Sequence, residues 1–230
     1  MGELKAVLFD MDGTLTDSVP VVTDAFVYLM TTMTGSAEPS SAYLTFVGPP
    51  LEDSFLKLGA QPDEVPTWLS TYREYYGRYM RDVPIFPGVM DVLAQLHDAG
   101  VALAVATSKR KDSARDVAQA TGIEPYFDVI EGAGEDGAKN KTKAAVIEAA
   151  LVDLEHAGLL SAPDAAPRDE SGARRDVVMV GDRFYDTDGA AAHGIKTILV
   201  TWGAGQQEEF DQAWASVSSA DELGRLLLTL

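Results

Sequence analysis

The chain has 230 residues, 46% of them hydrophobic, enough for one large or two small domains around a buried core. With 36 Asp and Glu against 18 Lys and Arg, its formal charge of -18 argues against nucleic acid and anionic membranes as partners and leaves a small metabolite as the expected ligand. Cysteine is absent, which excludes disulfides, thiolate nucleophiles and thiolate metal sites, so any metal must be held by oxygen or by the three histidines.

The first predicted element is an apolar strand, Lys5-Ala6-Val7-Leu8-Phe9, which runs into Asp10-Met11-Asp12-Gly13-Thr14. Two carboxylates at i and i+2 thus emerge at a strand's carboxyl end, where open α/β sheets collect their ligands. Asp17 and Ser18 read as caps of the helix that follows, whose apolar face carries Val22, Phe26, Leu29, Met30 and Met33 before a break from Gly35 to Ser41. The pattern stays helical from Ser18 to Ile85, punctuated by Pro62, Pro66 and Pro84, and Tyr72, Tyr75, Tyr76 and Tyr79 at helical spacing read as a packing face. Phe86-Pro87-Gly88 then opens a helix with Val89, Val92, Leu93 and Leu96 on one face, stopped by Gly100.

Val101 to Ala106 is an almost continuous apolar run, the profile of a strand buried on both faces, and it ends in Thr107-Ser108-Lys109. A helix over Lys111 to Thr121, a short strand over Asp128 to Glu131 and a helix marked by Val146, Ile147, Ala150, Leu151 and Leu154 follow. Ser161 to Asp176, rich in Ala, Pro and charge, reads as a mobile surface loop. Val177 to Gly181 and Thr197 to Val200 are the last predicted strands. The alternation predicts an α/β fold, a doubly wound parallel sheet with an inserted helical cap: a core of 1–17 and 86–230 and a cap of 18–85. No leader-like start and no apolar run near the ~18 to 20 residues that span a bilayer occur, so a soluble cytoplasmic protein, monomer or homodimer, is expected.

The acids suggest phosphoryl chemistry. A carboxylate such as Asp10 can attack phosphorus to give an aspartyl phosphate, provided a cation offsets the charge repulsion. Asp12, two residues on, can protonate the leaving oxygen and later deprotonate water. Gly181-Asp182-Arg183-Phe184-Tyr185-Asp186 supplies further hard ligands for Mg²⁺, with Asp182 the inner-sphere candidate and Asp186 a holder of metal-bound water or of its neighbours. Thr107 and Ser108 offer donors to phosphate, and one lysine among Lys139, Lys141 and Lys143 should complete the charge balance. His97, His156 and His193 have no metal-ligand spacing, and Arg183 and Tyr185 read equally as site-facing or as packing residues.

These four clusters, in this order, resemble the haloacid dehalogenase (HAD) superfamily of phosphohydrolases, whose pattern is strand-DxDGT, strand-Ser/Thr, a lysine, then strand-GDxxxD. The resemblance covers essentially the whole chain. It implies a Mg²⁺-dependent phosphatase acting on a small phosphate monoester, with metal ligands from Asp10, Asp182, Asp186 and the backbone carbonyl of Asp12. The third motif departs from the common Lys-Pro-x-Pro, and similarity to a subgroup with a helix after the lysine favours Lys143 over Lys141. The insert is similar to the helical cap of phosphoglycolate phosphatase-like members, and Val47-Gly48-Pro49-Pro50-Leu51 resembles the cap loop of members grouped with 5′-nucleotidases, which makes Gly48 a substrate-contact candidate. Phosphoglycolate-like esters and nucleoside monophosphates are the implied substrates. A phosphotransferase such as a sugar phosphomutase, or a non-catalytic phospho-ligand binding protein, would use the same residues. A dehalogenase has no use for the metal acids, and a receiver domain lacks the helical insert.

Overall fold

The computed structural model describes residues 4–134, 140 and 142–230. In chain order the elements are β1 (Ala6–Phe9), α1 (Val19–Thr34), α2 (Leu51–Lys57), α3 (Val65–Tyr79), α4 (Val89–Asp98), β2 (Ala102–Arg110), α5 (Lys111–Thr121), β3 (Val129–Ala133), α6 (Lys143–His156), β4 (Val177–Gly181), α7 (Phe184–Ala191), β5 (Lys196–Val200), α8 (Gln207–Phe210), β6 (Ala215–Val217) and α9 (Ala220–Leu227).

Among the described residues the strands form one sheet in the order β3-β2-β1-β4-β5-β6, and every neighbouring pair is parallel. Each strand must therefore be re-entered by a crossover, and the crossovers cover both faces of the sheet. β1 shows the consequence residue by residue: Val7 and Phe9 point into a core with Leu93, Leu96, Val117 and Leu223, while Ala6 and Leu8 point into a second core with Ile147, Leu151 and Leu154. All four are buried, which is why the strand reads as a continuous apolar run. Phe9 is level with Val105 on β2 and Val180 on β4, so Asp10 and Asp182 leave the sheet at its carboxyl end beside Thr107, in the last part of β2. This is the sheet's topological switch point, where β1 feeds one half and β4 the other.

The helices α1, α2 and α3, with a 3₁₀ segment at Ser40–Phe46, pack on one another around Phe26, Phe55, Trp68 and Tyr72. The Phe26 ring stacks on Tyr43 at 5.8 Å and meets Tyr72 edge-on at 5.1 Å, contacts that favour a fixed arrangement of these helices. The chain enters and leaves this layer side by side, through an antiparallel bridge between Thr16 and Ile85 and a 2.9 Å bond from Asp17 N–H to the Pro84 carbonyl.

Three sequence readings are corrected here. The segment from Ser161 to Asp176 is not a free loop: Arg168 and Arg174 bridge, Arg174 is buried in a paired contact with Asp176 at 3.0 and 2.8 Å, and Lys196 holds Asp169 at 2.5 Å. Its composition concealed these charge pairs. Ser18 does not cap α1 through its hydroxyl, because Pro at N2 removes one N–H and the hydroxyl goes elsewhere. Beyond the predicted strands, β6 and α9 close the far edge of the sheet, with Leu223 and Leu227 in the core. Among the described residues no helix is long and apolar enough to cross a membrane. Lys139 and Lys141 lie outside the described residues.

Candidate active site

Three strand ends build the site. The turn after Asp10 brings the chain back on itself, with Gly13 at φ +83° and the N–H groups of Thr14, Leu15 and Thr16 returning to the Met11 carbonyl. A Cβ at Gly13 would stand 2.3 Å from Asp182 Oδ2, so only glycine lets this turn close over the acid. Gly203 plays the same part from the loop after β5, since a Cβ there would overlap both Asp182 and the Gly13 carbonyl at 2.4 Å.

Between these glycine backbones Asp182 is completely buried. Its Oδ2 accepts the Ala204 N–H at 2.7 Å and its Oδ1 the Thr14 hydroxyl at 3.4 Å. Asp186 sits one turn on, and its Oδ2 accepts the N–H groups of Asp182 and Arg183 at 3.2 and 3.1 Å, which ties the acid to the loop it belongs to. Ligand oxygens of Asp10, Asp182 and Asp186 lie within 4.8 Å of one another. Lys143, at the first position of α6, reaches into this cluster, with Nζ 2.8 Å from Asp10 Oδ1 and 2.7 Å from Asp186 Oδ1. The ammonium thus bridges the two acids and balances part of their charge.

The electrostatics follow from burial. Removal from water pushes the Asp10 carboxyl up to about 6; Lys143 pulls it down, and Asp186 and Asp12 push it further up. Burial raises Asp182 well above the ordinary carboxylate range, helped by the charges of Asp186 and Asp10. For Lys143 burial alone would lower the proton affinity, but Asp10 and Asp186 outweigh it and raise it. Three buried carboxylates against one ammonium leave an excess of negative charge. A hard divalent cation with oxygen ligands fits that donor set, and Mg²⁺ needs no more than one or two carboxylates with water.

Asp12 faces a different neighbourhood. Its Oδ2 is 2.7 Å from Lys109 Nζ, and its Oδ1 accepts the Ser18 hydroxyl at 2.5 Å. Lys109 is buried and also contacts the Tyr76 hydroxyl of α3, its ammonium lying 4.4 Å from that ring's centroid. Burial acts to lower the Lys109 proton affinity, and Asp12 and Tyr76 together, by charge and by hydrogen bond, more than reverse this. Sequence reasoning missed this lysine, although it stands directly after Thr107-Ser108. The signal was a cation two residues beyond a strand-end hydroxyl, and no local pattern says that its partner is Asp12. Tyr72 and Tyr76 do pack, as their spacing predicts, and they also line the cavity.

That cavity, about 460 Å³, lies between the sheet edge and the helical layer. Asp10, Asp12, Thr107 and Ser108 line it on the sheet side, Gly48 and Tyr72 on the helical side. The structure therefore brings Asp10, Lys143, Asp182 and Asp186 into one buried cluster. Asp12, Thr107, Ser108 and Gly48 share the cavity with Asp10. Thr107 is buried and its hydroxyl accepts the Lys109 N–H at 3.2 Å, so it shapes the strand end as well as facing the cavity. His193 bonds the Ala144 carbonyl at 2.8 Å, and none of the three histidines belongs to the acid cluster.

Comparison with known proteins agrees with this geometry. Residues 7–200 match the family described as haloacid dehalogenase-like hydrolase. The chain is similar to tyrosine-protein kinase PtkA of Mycobacterium tuberculosis, at 36% identity over 97% of this chain and 72% of that protein. It is also similar to pyrophosphatase PpaX of Halalkalibacterium halodurans, at 28% identity over 96% of each chain. The crystal structure of a predicted phosphatase from Clostridium acetobutylicum superposes with a TM-score of 0.84 at 33% identity, covering 98% of both chains. With its sheet order, its acid cluster and a family match across most of its length, the chain belongs to the haloacid dehalogenase-like hydrolases.

Proposed function

We propose that the protein is a Mg²⁺-dependent phosphatase that hydrolyses a small phosphate monoester through an aspartyl phosphate on Asp10. The observation that carries this reading is the buried cluster of Asp10, Asp182 and Asp186 around a single ammonium, at the edge where β1 and β4 end. Residues 18–85 act as a cap domain over a core of 1–17 and 86–230.

Asp10, Asp182 and Asp186 would hold Mg²⁺, with the Asp12 carbonyl. When bound, the ion supplies positive charge that offsets the repulsion between carboxylate and phosphate. An Asp10 oxygen attacks phosphorus while the bond from phosphorus to the ester oxygen breaks, and Asp12 gives its proton to the departing alkoxide. Asp12 then removes a proton from water, whose oxygen attacks the same phosphorus and releases phosphate and the Asp10 carboxylate. Lys143 holds Asp10 in place, and the donors of Thr107 and Ser108, which line the cavity beside Asp10, would receive the phosphate oxygens.

The cavity lining carries charge of both signs. Arg73 and Arg110 both belong to it, and burial together with the like charge of Arg110 holds the Arg73 guanidinium below its ordinary proton affinity. Glu52 and Asp53 line the same cavity and Asp112 pairs with Arg110, so phosphoglycolate-like esters and nucleoside monophosphates both stay as proposed substrates. Transfer to a hydroxyl acceptor instead of water uses the same residues, and the similarity to a protein named a tyrosine kinase supports keeping it as the second reading.

Hydrolysis of p-nitrophenyl phosphate and 2-phosphoglycolate tests the reading. Activity is expected with Mg²⁺, lost with EDTA, and reduced at least about 10³-fold by Asp10→Asn with the fold retained. Turnover that survives Asp10→Asn or ignores the chelator defeats it, and formation of a phosphorylated acceptor without free phosphate selects transfer.

A further inference from the structure

Arg183 follows Asp182 at the N-cap of α7, and its side chain is only 8% exposed. Its main chain belongs to the acid cluster, because its N–H donates to Asp186 Oδ2 at 3.1 Å. Its guanidinium turns the other way. Nη1 donates to the Val47 carbonyl at 2.5 Å, while Nε and Nη2 donate to the Glu209 carboxylate of α8 at 3.1 and 3.2 Å. Glu209 also accepts the Phe184 N–H at 3.3 Å. Gly48, at φ +103°, brings its backbone down on this group: a Cβ there would lie 3.5 Å from Arg183 Cγ and 3.7 Å from Tyr185 Cδ2. Val47 is buried, and the six residues that follow it line the cavity together with Asp10 and Asp12.

One residue thus bonds the acid cluster through its backbone and the cavity-lining segment through its side chain. We infer that Arg183 is a positioning residue that latches the Val47–Leu51 segment over the cavity, in register with Asp182 and Asp186. The guanidinium suits the task because its planar fork can serve the Glu209 carboxylate and the Val47 carbonyl at once. Glu209 keeps the fork aimed when the Val47 segment lifts, so re-forming the contact needs little reordering of the arginine. The polar groups that face the fork are Glu209 and the Val47 carbonyl, and the rings of Phe184 and Tyr185 lie 5.9 and 5.7 Å from its central carbon. A lysine could reach one partner as a point charge and could not span both.

The latch rests on the phosphatase reading only for its kinetic arm. Arg183→Ala, Arg183→Lys and Glu209→Gln are compared with the wild type in full-length, purified protein by small-angle X-ray scattering without ligand and by p-nitrophenyl phosphate kinetics. Loss of the latch lowers the fraction of closed, binding-competent protein, so KM rises about tenfold in Arg183→Ala while kcat changes by less than about twofold. Arg183→Lys does not rescue KM, and Glu209→Gln, which leaves the Val47 bond in place, raises it about threefold. The half-saturating Mg²⁺ concentration stays within about twofold, which separates a latch from damage to the acid cluster. The radius of gyration, ~17 Å for a compact chain of this length, increases by about 1 Å in Arg183→Ala. Unchanged KM and scattering in all three variants overturn the inference, as does a loss confined to kcat and Mg²⁺ affinity. If the wild type hydrolyses no ester while scattering still separates the variants, the latch stands and the phosphatase reading falls.

Discussion

Asp10 is buried among other acids, and that position has a measurable cost in the metal-free protein. Its carboxyl moves from an ordinary 3.8 to about 6, raised first by burial and then by Asp186 against the pull of Lys143. Between those values the folded protein holds a proton that the unfolded chain has released. The group therefore contributes stability that is fully present below about 3.8 and lost as pH rises through about 6. In EDTA, the stability of the wild type relative to Asp10→Asn should fall by on the order of 2 kcal/mol between pH 4 and pH 7. Urea unfolding at a series of pH values reads this directly, and parallel curves for the two proteins would refute it. The acids themselves were visible in the sequence because Asp10 and Asp182 follow the apolar runs of β1 and β4, and Asp12 and Asp186 stand two and four residues further on. Ser18, Tyr76, Lys109 and Arg183 were not assigned their contacts, because these depend on which strand end or helix lies opposite, and no local spacing encodes that.

At the scale of elements, β1 and β4 were readable as buried strands because parallel pairing leaves no solvent face. β6 was not, since three residues with one buried side chain carry no periodicity. The segment before β4 was misread for a related reason: its charge and proline content describe a loop, while its order comes from pairing across a turn. Arg174 and Asp176 form a buried ion pair there, and the Asp176 carbonyl also accepts the N–H groups of Lys5 and Ala6 at the start of β1. Arg174→Ala leaves Asp176 charged and unpaired, so a loss of about 3 kcal/mol is expected in chemical denaturation, against less than about 0.5 for exposed Asp164→Ala. A smaller loss for Arg174→Ala than for Asp164→Ala would show that the pair contributes nothing to the order of this segment.

For the whole molecule, a net charge of -18 with three carboxylates converging at one sheet edge makes cation binding and folding stability two views of one equilibrium. Mg²⁺ at about a hundred times its dissociation constant should stabilise the fold by about 2.7 kcal/mol, visible as a higher melting temperature that EDTA reverses. Asp182→Asn should abolish that shift while monovalent salt at the same ionic strength fails to reproduce it in the wild type; an equal shift with NaCl would reduce the effect to general screening. The paired entry and exit at Thr16 and Ile85 has a consequence for how such a chain can change. Because the ends of the helical layer already lie side by side in a β-bridge, the sheet treats everything between them as an oversized hairpin loop. A change of length within the layer leaves every strand register untouched, while Val21, Met80 and Val83 seat the layer on the sheet's own core.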